Sequence, residues 1–205
     1  MADEMKIHNN NDMKNMKELT LPLLSAAAVI LAGCVTTSVY PFYDENDAVF
    51  EPALIGHWTK VQHPEERWTF ERDSGDGYRV TCVSEGKTNT GQGHFFKLKG
   101  QPFMDFSAPT WKEDIQPQPV PSHILVRVTQ IAPTMKMADL SYEWLGQLLA
   151  TNPAALRHLV IKTGDNPEDR RIVLTADTAE LQRFVIRHLK TEGAWNESLE
   201  LQPAK

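Results

Sequence analysis

The stretch from Arg67 to Ser84 reads RWTFERDSGDGYRVTCVS, and its pattern decides the fold. Apolar and polar side chains alternate on both sides of a central Asp-Ser-Gly-Asp-Gly run, and a period of two is typical of β-strands. The central run is rich in residues that tolerate a positive φ, which favours a tight turn. The stretch therefore predicts two antiparallel strands, with Tyr78, Val80 and Cys82 on the inward face.

Similar short segments flank this hairpin and predict further strands. They are Leu54 to Val61, Gly93 to Leu98, Pro102 to Phe106, His123 to Ile131 and Thr134 to Asp139. Together these segments indicate an antiparallel meander of about seven strands. The predicted fold class is α+β and mainly β, with the meander closing into a barrel or half-barrel.

The period changes from two to 3.6 in the second half of the chain, which predicts helices near 142–158 and 178–190. Ser141 and Asp177 stand where capping residues are expected, and Glu180 completes a capping-box pattern with Asp177. Between the helices, residues 159–162 and 171–175 flank an Asp-Asn-Pro turn and predict a hairpin. The last residues, 195–205, are interpreted as a frayed tail.

The first predicted strand contains Gly56-His57-Trp58. This run resembles the G-x-W opening of lipocalin and calycin barrels, which implies a calycin-like barrel whose interior carries a small apolar ligand. In that resemblance Gly56 permits close packing and Trp58 plugs one end, stacked under an arginine from a late strand. Arg127 or Arg171 would supply this cation–π partner. The alternative is that Trp58 simply fills a core.

An apolar run extends from Leu19 to Ala32 in the N-terminal part of the chain. As a helix its fourteen residues would reach about 21 Å, which is short of the roughly 30 Å hydrocarbon core of a membrane. Two lysines precede the run and small residues end it. The order of charge, apolar segment and small residues indicates an export signal.

The end of this run, Leu31-Ala32-Gly33-Cys34, resembles the lipobox of bacterial lipoproteins. The resemblance implies that a diacylglyceryl group is attached to the Cys34 sulfur and that the signal is removed just before it. Because Val35 rather than aspartate follows, it also implies sorting to the outer membrane. Two or three acyl chains hold a protein at a membrane without a spanning helix. The predicted segments are signal 1–33, tether 34–50, globular domain 51–190 and tail 191–205.

Composition is consistent with an exported globular domain and argues against nucleic acid as a partner. The formal net charge is −6, and removal of residues 1–33 leaves 18 basic and 23 acidic side chains. Such a balance does not attract polyanions. With Cys34 lipidated, Cys82 has no cysteine to pair with, so no disulfide is expected within the chain.

The chemically useful side chains do not form a recognisable catalytic or metal site. His94 shares a face with inward apolar residues, whereas His57 and His123 lie on the opposite faces of their strands. Histidines scattered in this way do not converge on a zinc ion, so no metal and no cofactor beyond the covalent lipid is predicted. Cys82 lies beside inward apolar residues and is interpreted as a small hydrophobe.

Residues 108–121 contain four prolines and Trp111, a composition that predicts a long loop. The loop either covers the end of the sheet or serves as a lid or partner-docking loop anchored by Trp111. The leading hypothesis is a non-enzymatic, lipid-anchored envelope protein that docks a partner or has a structural role. The alternative is a lipocalin-like carrier, and an enzyme is the third possibility. The many aromatic residues predicted to point inward favour a packed interior.

Overall fold

A computed structural model describes residues 35–107, 122–164 and 170–205. Within these ranges the chain forms eleven strands, two α-helices and two short 3-10 helices. The strands are β1 Thr37–Ser38, β2 Gly56–Lys60, β3 Arg67–Arg72, β4 Gly77–Ser84, β5 Lys87–Leu98, β6 Gln101–Ser107, β7 His123–Gln130, β8 Met135–Asp139, β9 His158–Lys162, β10 Arg170–Leu174 and β11 Leu199–Pro203. The helices are α1 Tyr142–Thr151 and α2 Thr178–His188, and the 3-10 helices are Pro52–Leu54 and Pro153–Ala155.

Eight of the strands form a closed antiparallel barrel. Strands β2 to β8 pair in sequence order, and β11 closes the ring between β8 and β2. The calycin-like barrel is confirmed, so the half-barrel alternative is excluded. Three further strands extend from the start of β7, where β1 pairs with β7 and then in parallel with β10, and the predicted β9–β10 hairpin forms the outer edge.

The interpretation of residues 195–205 as a frayed tail is wrong, because they supply the strand that closes the barrel. Leu199 is opposite Met137 in β8, and Leu201 is opposite Lys60 in β2. Leu201 is fully buried in the barrel. Burial of this side chain and pairing on both edges hold the segment in place.

Two hydrophobic cores share the barrel wall. The inner core fills the barrel with Leu54, Trp58, Phe70, Tyr78, Val80, Phe95, Met104, Val126, Val128, Met135, Met137 and Leu201. The outer core lies between the wall, α1, α2 and β10, and it includes Phe42, Phe96, Phe103, Leu125, Leu145, Ile172, Leu174, Leu181 and Phe184. Successive side chains of a strand point to opposite faces, so Phe95 belongs to the inner core and Phe96 to the outer one.

Both helices begin at the predicted capping residues. The Ser141 hydroxyl accepts a hydrogen bond from the Trp144 N–H at 3.3 Å, and the Asp177 carboxylate accepts one from the Glu180 N–H at 2.9 Å. Each bond satisfies one of the N–H groups that a helix start leaves unpaired. The caps direct the apolar faces of the helices onto the outer core.

The interpretation of residues 34–50 as a tether is wrong for the described part, 35–50. Thr36, Ser38 and Phe42 are buried, and β1 is inserted between β7 and β10. The Thr178 hydroxyl of α2 also donates to the Pro41 carbonyl at 2.8 Å. The segment is part of the folded domain because its small and apolar side chains complete the outer core.

Candidate functional site

The barrel interior is lined by the large side chains of the inner core. Near the 3-10 helix Pro52–Leu54, the Tyr78 hydroxyl donates to the Glu51 carbonyl at 3.1 Å. The Phe50 ring stacks on the Tyr78 ring, with 5.4 Å between centroids. The guanidinium of Arg72 lies 4.3 Å from the centroid of Phe50. These contacts close one end of the barrel.

Trp58 lies in the inner core, as either interpretation of the G-x-W run requires, but its partner is not the predicted arginine. Its indole N–H donates to the Leu54 carbonyl at 3.0 Å. Arg127 instead points out of the barrel, 5.9 Å from the centroid of the Trp195 ring. Arg171 is exposed on β10. The predicted cation–π contact on Trp58 is therefore wrong for both arginines.

A glycine is needed at position 56 because of its backbone conformation and not because of close packing. Its φ is +137°, a conformation that side chains with a Cβ rarely adopt, and a Cβ there would meet nothing within 4 Å. Gly93 is the opposite case, because a Cβ there would lie 3.0 Å from the Met104 sulfur and 3.2 Å from a Val80 methyl group. The close packing inside the barrel occurs at Gly93.

Polar groups occur inside the barrel toward the end where β6 stops and β7 starts. Lys60 and Glu66 form an ion pair of 3.2 Å there, and both side chains are largely buried. Burial raises the pKa of the nearby Cys82 thiol to about 11, and the charge of Glu66 adds to the effect. A thiol with such a pKa is a poor nucleophile at neutral pH. This agrees with the interpretation of Cys82 as a small hydrophobic residue.

Trp68 provides an unpaired hydrogen-bond donor at the same end. Its indole nitrogen is buried and has no hydrogen-bond partner among the described residues. The ring packs against Phe106, with 6.3 Å between centroids, and Ile124 and Leu199 are also only partly buried in the inner core. Asp139 follows Met137 on the inner face of β8, and burial raises the pKa of its carboxyl group.

A second polar cluster lies on the outer face of the barrel, under the N-terminal segment. The Asp105 carboxylate is completely buried, and one oxygen lies 2.8 Å from Nδ1 of His123. Its other oxygen accepts a hydrogen bond from the Phe42 N–H at 2.8 Å. Tyr43 stacks on His94 beside this pair, with 4.6 Å between centroids.

The sequence predicted that the His94 side chain points inward. This prediction is wrong, because the side chain points out of the barrel. His94 shares a face with Phe96, but that face contacts the outer core. Burial lowers the pKa of His94 and raises that of Tyr43 to about 12, with the Asp105 charge contributing to the latter shift. Both side chains are therefore neutral near pH 7, and their stack packs Tyr43 of the N-terminal segment onto His94 of the barrel wall.

Two serines, Ser38 in β1 and Ser107 in β6, are opposite His123 in the sheet. The Ser38 hydroxyl accepts from the Tyr40 N–H at 3.2 Å and donates to the Leu174 carbonyl at 3.5 Å, and no hydrogen bond joins either serine hydroxyl to the His123 ring within the described residues. A nucleophile should instead contact the base that activates it. The cluster has the groups of a catalytic triad without the required contacts.

The β9 strand presents the most unusual surface of the described residues. Leu159, Val160 and Ile161 are 58%, 52% and 47% exposed, and among the described strands β9 pairs only with β10. Monomeric proteins commonly protect such edges with charges or irregular backbone, so a bare apolar edge marks a contact surface. The sequence predicted the hairpin, but its pattern did not show that three consecutive apolar side chains would face solvent.

Two predicted site residues, Cys34 and Trp111, lie outside the described residues. Across the described ranges, no helix is both long and apolar enough to cross a membrane. In the same ranges, no group of three or more His, Cys, Asp or Glu side chains is placed to hold a metal ion. No family model, curated protein or solved structure matches this chain.

Proposed function

We propose that this protein is a lipid-anchored lipoprotein of the bacterial cell envelope, sorted to the outer membrane, with a non-enzymatic structural or partner-docking role. The observation that supports it best is the position of the N-terminal segment. Buried Thr36 follows Cys34 by two residues, so a lipid on Cys34 would be attached directly to a folded domain.

A non-enzymatic role is supported by how the chemically useful groups are employed. The Asp105 carboxylate is occupied by His123 and the Phe42 N–H, and the Cys82 thiol has a raised pKa. The inner core fills the barrel around Trp58. These groups stabilise the fold, which agrees with a domain that acts through its surface.

The anchor is tested by expressing the wild-type chain and Cys34→Ala in a bacterium fed with a labelled fatty acid. Wild type should take up the label, start at Cys34 and partition into the detergent phase, because only the thiol forms the thioether. Cys34→Ala should remain uncleaved and unlabelled. Cys82→Ala is the matched control and should behave as wild type. Equal labelling of Cys34→Ala and wild type would refute the proposal, and recovery of the wild type in the inner membrane would refute the sorting step.

Partner docking is proposed to involve Trp111 in the loop that the sequence predicts for residues 108–121. Aromatic residues commonly dominate the energy of protein interfaces. Affinity purification after crosslinking in cells should recover a stoichiometric envelope partner, with recovery reduced about tenfold or more by Trp111→Ala. Tyr40→Ala, at an exposed aromatic elsewhere, is the control. Equal recovery with Trp111→Ala would remove this loop from the interface.

A carrier of a small apolar ligand is the second candidate, because the buried N–H of Trp68 has no partner within the part of the chain that the structure describes. A ligand carbonyl or hydroxyl at the β6–β7 end of the barrel would satisfy it. Native mass spectrometry of the purified protein, with extraction of bound lipid, tests this. A stoichiometric non-covalent adduct that is lost in Trp68→Phe would favour the carrier, and an apo mass with no shift on added fatty acid would favour the packed domain.

A further inference from the structure

Strand β9 lies close to the point where the described part of the chain begins, and Cys34, the proposed lipid anchor, directly precedes that point in the sequence. Strand β1 pairs in parallel with β10, with Thr37 opposite Val173, and Val173 is in turn opposite Leu159 in β9. Adjacent strands are about 4.8 Å apart, so Thr37 and Leu159 are separated by about 10 Å. Cys34 precedes Thr37 by three residues, which span at most about 11 Å.

The N-terminal end of β1 is directed toward the exposed apolar residues. Because β1 and β10 are parallel, moving back along β1 toward Val35 corresponds to moving back along β10 toward Arg171. Arg171 is opposite Ile161 in β9. The chain therefore enters the domain from the side on which the β9–β10 hairpin turns.

The exposed side chains cover both faces of this edge. Val160 is opposite Ile172, which packs against α1, so Leu159 and Ile161 lie on the face away from the helix. Exposure of these apolar side chains to water costs free energy, so contact with an apolar environment is favourable. The apolar environment next to an acyl anchor is the membrane.

We propose that Leu159, Val160 and Ile161 rest in the membrane interface beside the acyl group, so that the domain lies against the bilayer instead of hanging from a tether. This inference rests on the proposed lipid anchor at Cys34. It assigns one occupant to the β9 edge, a phospholipid surface. The β9 edge is defined by these three residues.

Backbone chemistry limits how deep the contact goes. The Thr175 N–H donates to the Arg157 carbonyl, so by alternation the backbone groups of His158, Val160 and Lys162 point away from β10. Hydrocarbon would leave these groups unsatisfied, whereas headgroups and interfacial water can bond to them. The edge therefore lies at interfacial depth, about 5–10 Å into the boundary between headgroups and acyl chains.

The contact is assigned to apolar side chains rather than to charge. Basic residues flank the edge at Lys162, Arg170 and Arg171, but the intervening sequence contributes Asp165, Glu168 and Asp169. The hairpin as a whole is thus balanced in charge. Contact should occur on zwitterionic as well as anionic lipid, with the basic stems extending toward the headgroups.

The test uses the lipidated full-length protein, carrying Cys82→Ala, in vesicles that contain lipids with a quencher on the upper acyl chain. A fluorophore on Leu159→Cys should be quenched, and one on Glu71→Cys should not, because β3 lies across the barrel from β7. Both positions are exposed, so neither label disturbs a core. Quenching at 159 should be similar on zwitterionic and anionic vesicles.

A second measurement follows transfer of the lipidated protein between vesicles. Leu159→Asp with Ile161→Asp should accelerate transfer about tenfold or more, since each buried methylene contributes to retention. Val61→Asp, at an exposed valine of the barrel, should leave transfer unchanged. Unchanged transfer in the double variant would overturn the inference.

The outcomes separate the two proposals. Protein without lipid on Cys34 would refute the anchor. Lipidated, membrane-bound protein whose label at 159 is as accessible to an aqueous quencher as the label at 71 would refute only the membrane contact. A label at 159 shielded from both quenchers would also refute it and would indicate a protein strand, from a partner or a second copy, paired with β9.

Discussion

Trp58 lies inside the barrel, as the sequence predicted, but it contacts a backbone carbonyl instead of the predicted arginine. Its ring fills the barrel, and its N–H bonds to Leu54, only four residues earlier in the chain. The local carbonyl accepts from the indole N–H, which an arginine could not do because a guanidinium only donates, and it does so without burying a charge.

Replacement of Trp58 by alanine should reduce the free energy of unfolding by about 3–5 kcal/mol, because it leaves a cavity in a packed core. Arg79→Ala, on the exposed face of β4, should change it by less than about 1 kcal/mol. Urea denaturation of the two variants tests this. Equal midpoints would remove Trp58 from the core.

Asp105 connects the N-terminal segment to the barrel wall. Asp105→Ala would leave the Phe42 N–H and the His123 ring without their acceptor, and we expect a loss of at least about 2 kcal/mol. Residues 35–50 should also become sensitive to limited proteolysis. Glu71→Ala, at an exposed site, should do neither. An unchanged digestion pattern for Asp105→Ala would contradict this role.

His94 should make the protein less stable in mild acid. Its pKa is lowered in the folded state, so its contribution is present above the unfolded pKa near 6.5 and is lost as the pH falls through the folded value. His94→Phe keeps the stack on Tyr43 without the titration. The loss of stability between pH 7.5 and pH 5.5 should therefore be smaller in His94→Phe, as measured by urea melts. An identical loss would contradict the assignment.

At the scale of elements, strand β11 makes closure depend on the last residues of the chain. Leu201→Ala should cost about 2–5 kcal/mol, because its side chain is fully buried between β2 and β8. Exposed Gln202→Ala should cost less than about 0.5 kcal/mol. Thermal melts of both variants test this. A tolerated Leu201→Ala would mean that the barrel does not need β11.

Local patterns predicted the hairpins and helix starts correctly, and the failures have a common physical cause. Alternation separates the two faces of a strand but does not say which face lines the barrel. It therefore failed at His94 and Phe96, where the outer face is buried as well. The partners of β11 and β1 are far away in sequence, so their short segments carried no local signal of pairing.

At the scale of the whole molecule, the two cores should unfold together. They share the wall of β5, β6 and β7, where Phe95 and Met104 face inward while Phe96 and Phe103 face outward. Loss of the outer core would expose these outer aromatic rings and release β1 from the barrel strand β7. Neither core can lose its packing without exposing a strand that the other core needs.

Fluorotryptophan NMR during urea titration tests this coupling, because Trp58 reports on the inner core and Trp144 of α1 packs against the outer core. Both signals should lose native intensity at the same urea concentration, as expected for a single cooperative unit. Phe184→Ala should lower both midpoints equally, although Phe184 belongs to the outer core and not to the inner one. If Trp144 unfolded at lower urea while Trp58 stayed native, the helices would be a separable layer and the barrel would be stable without them.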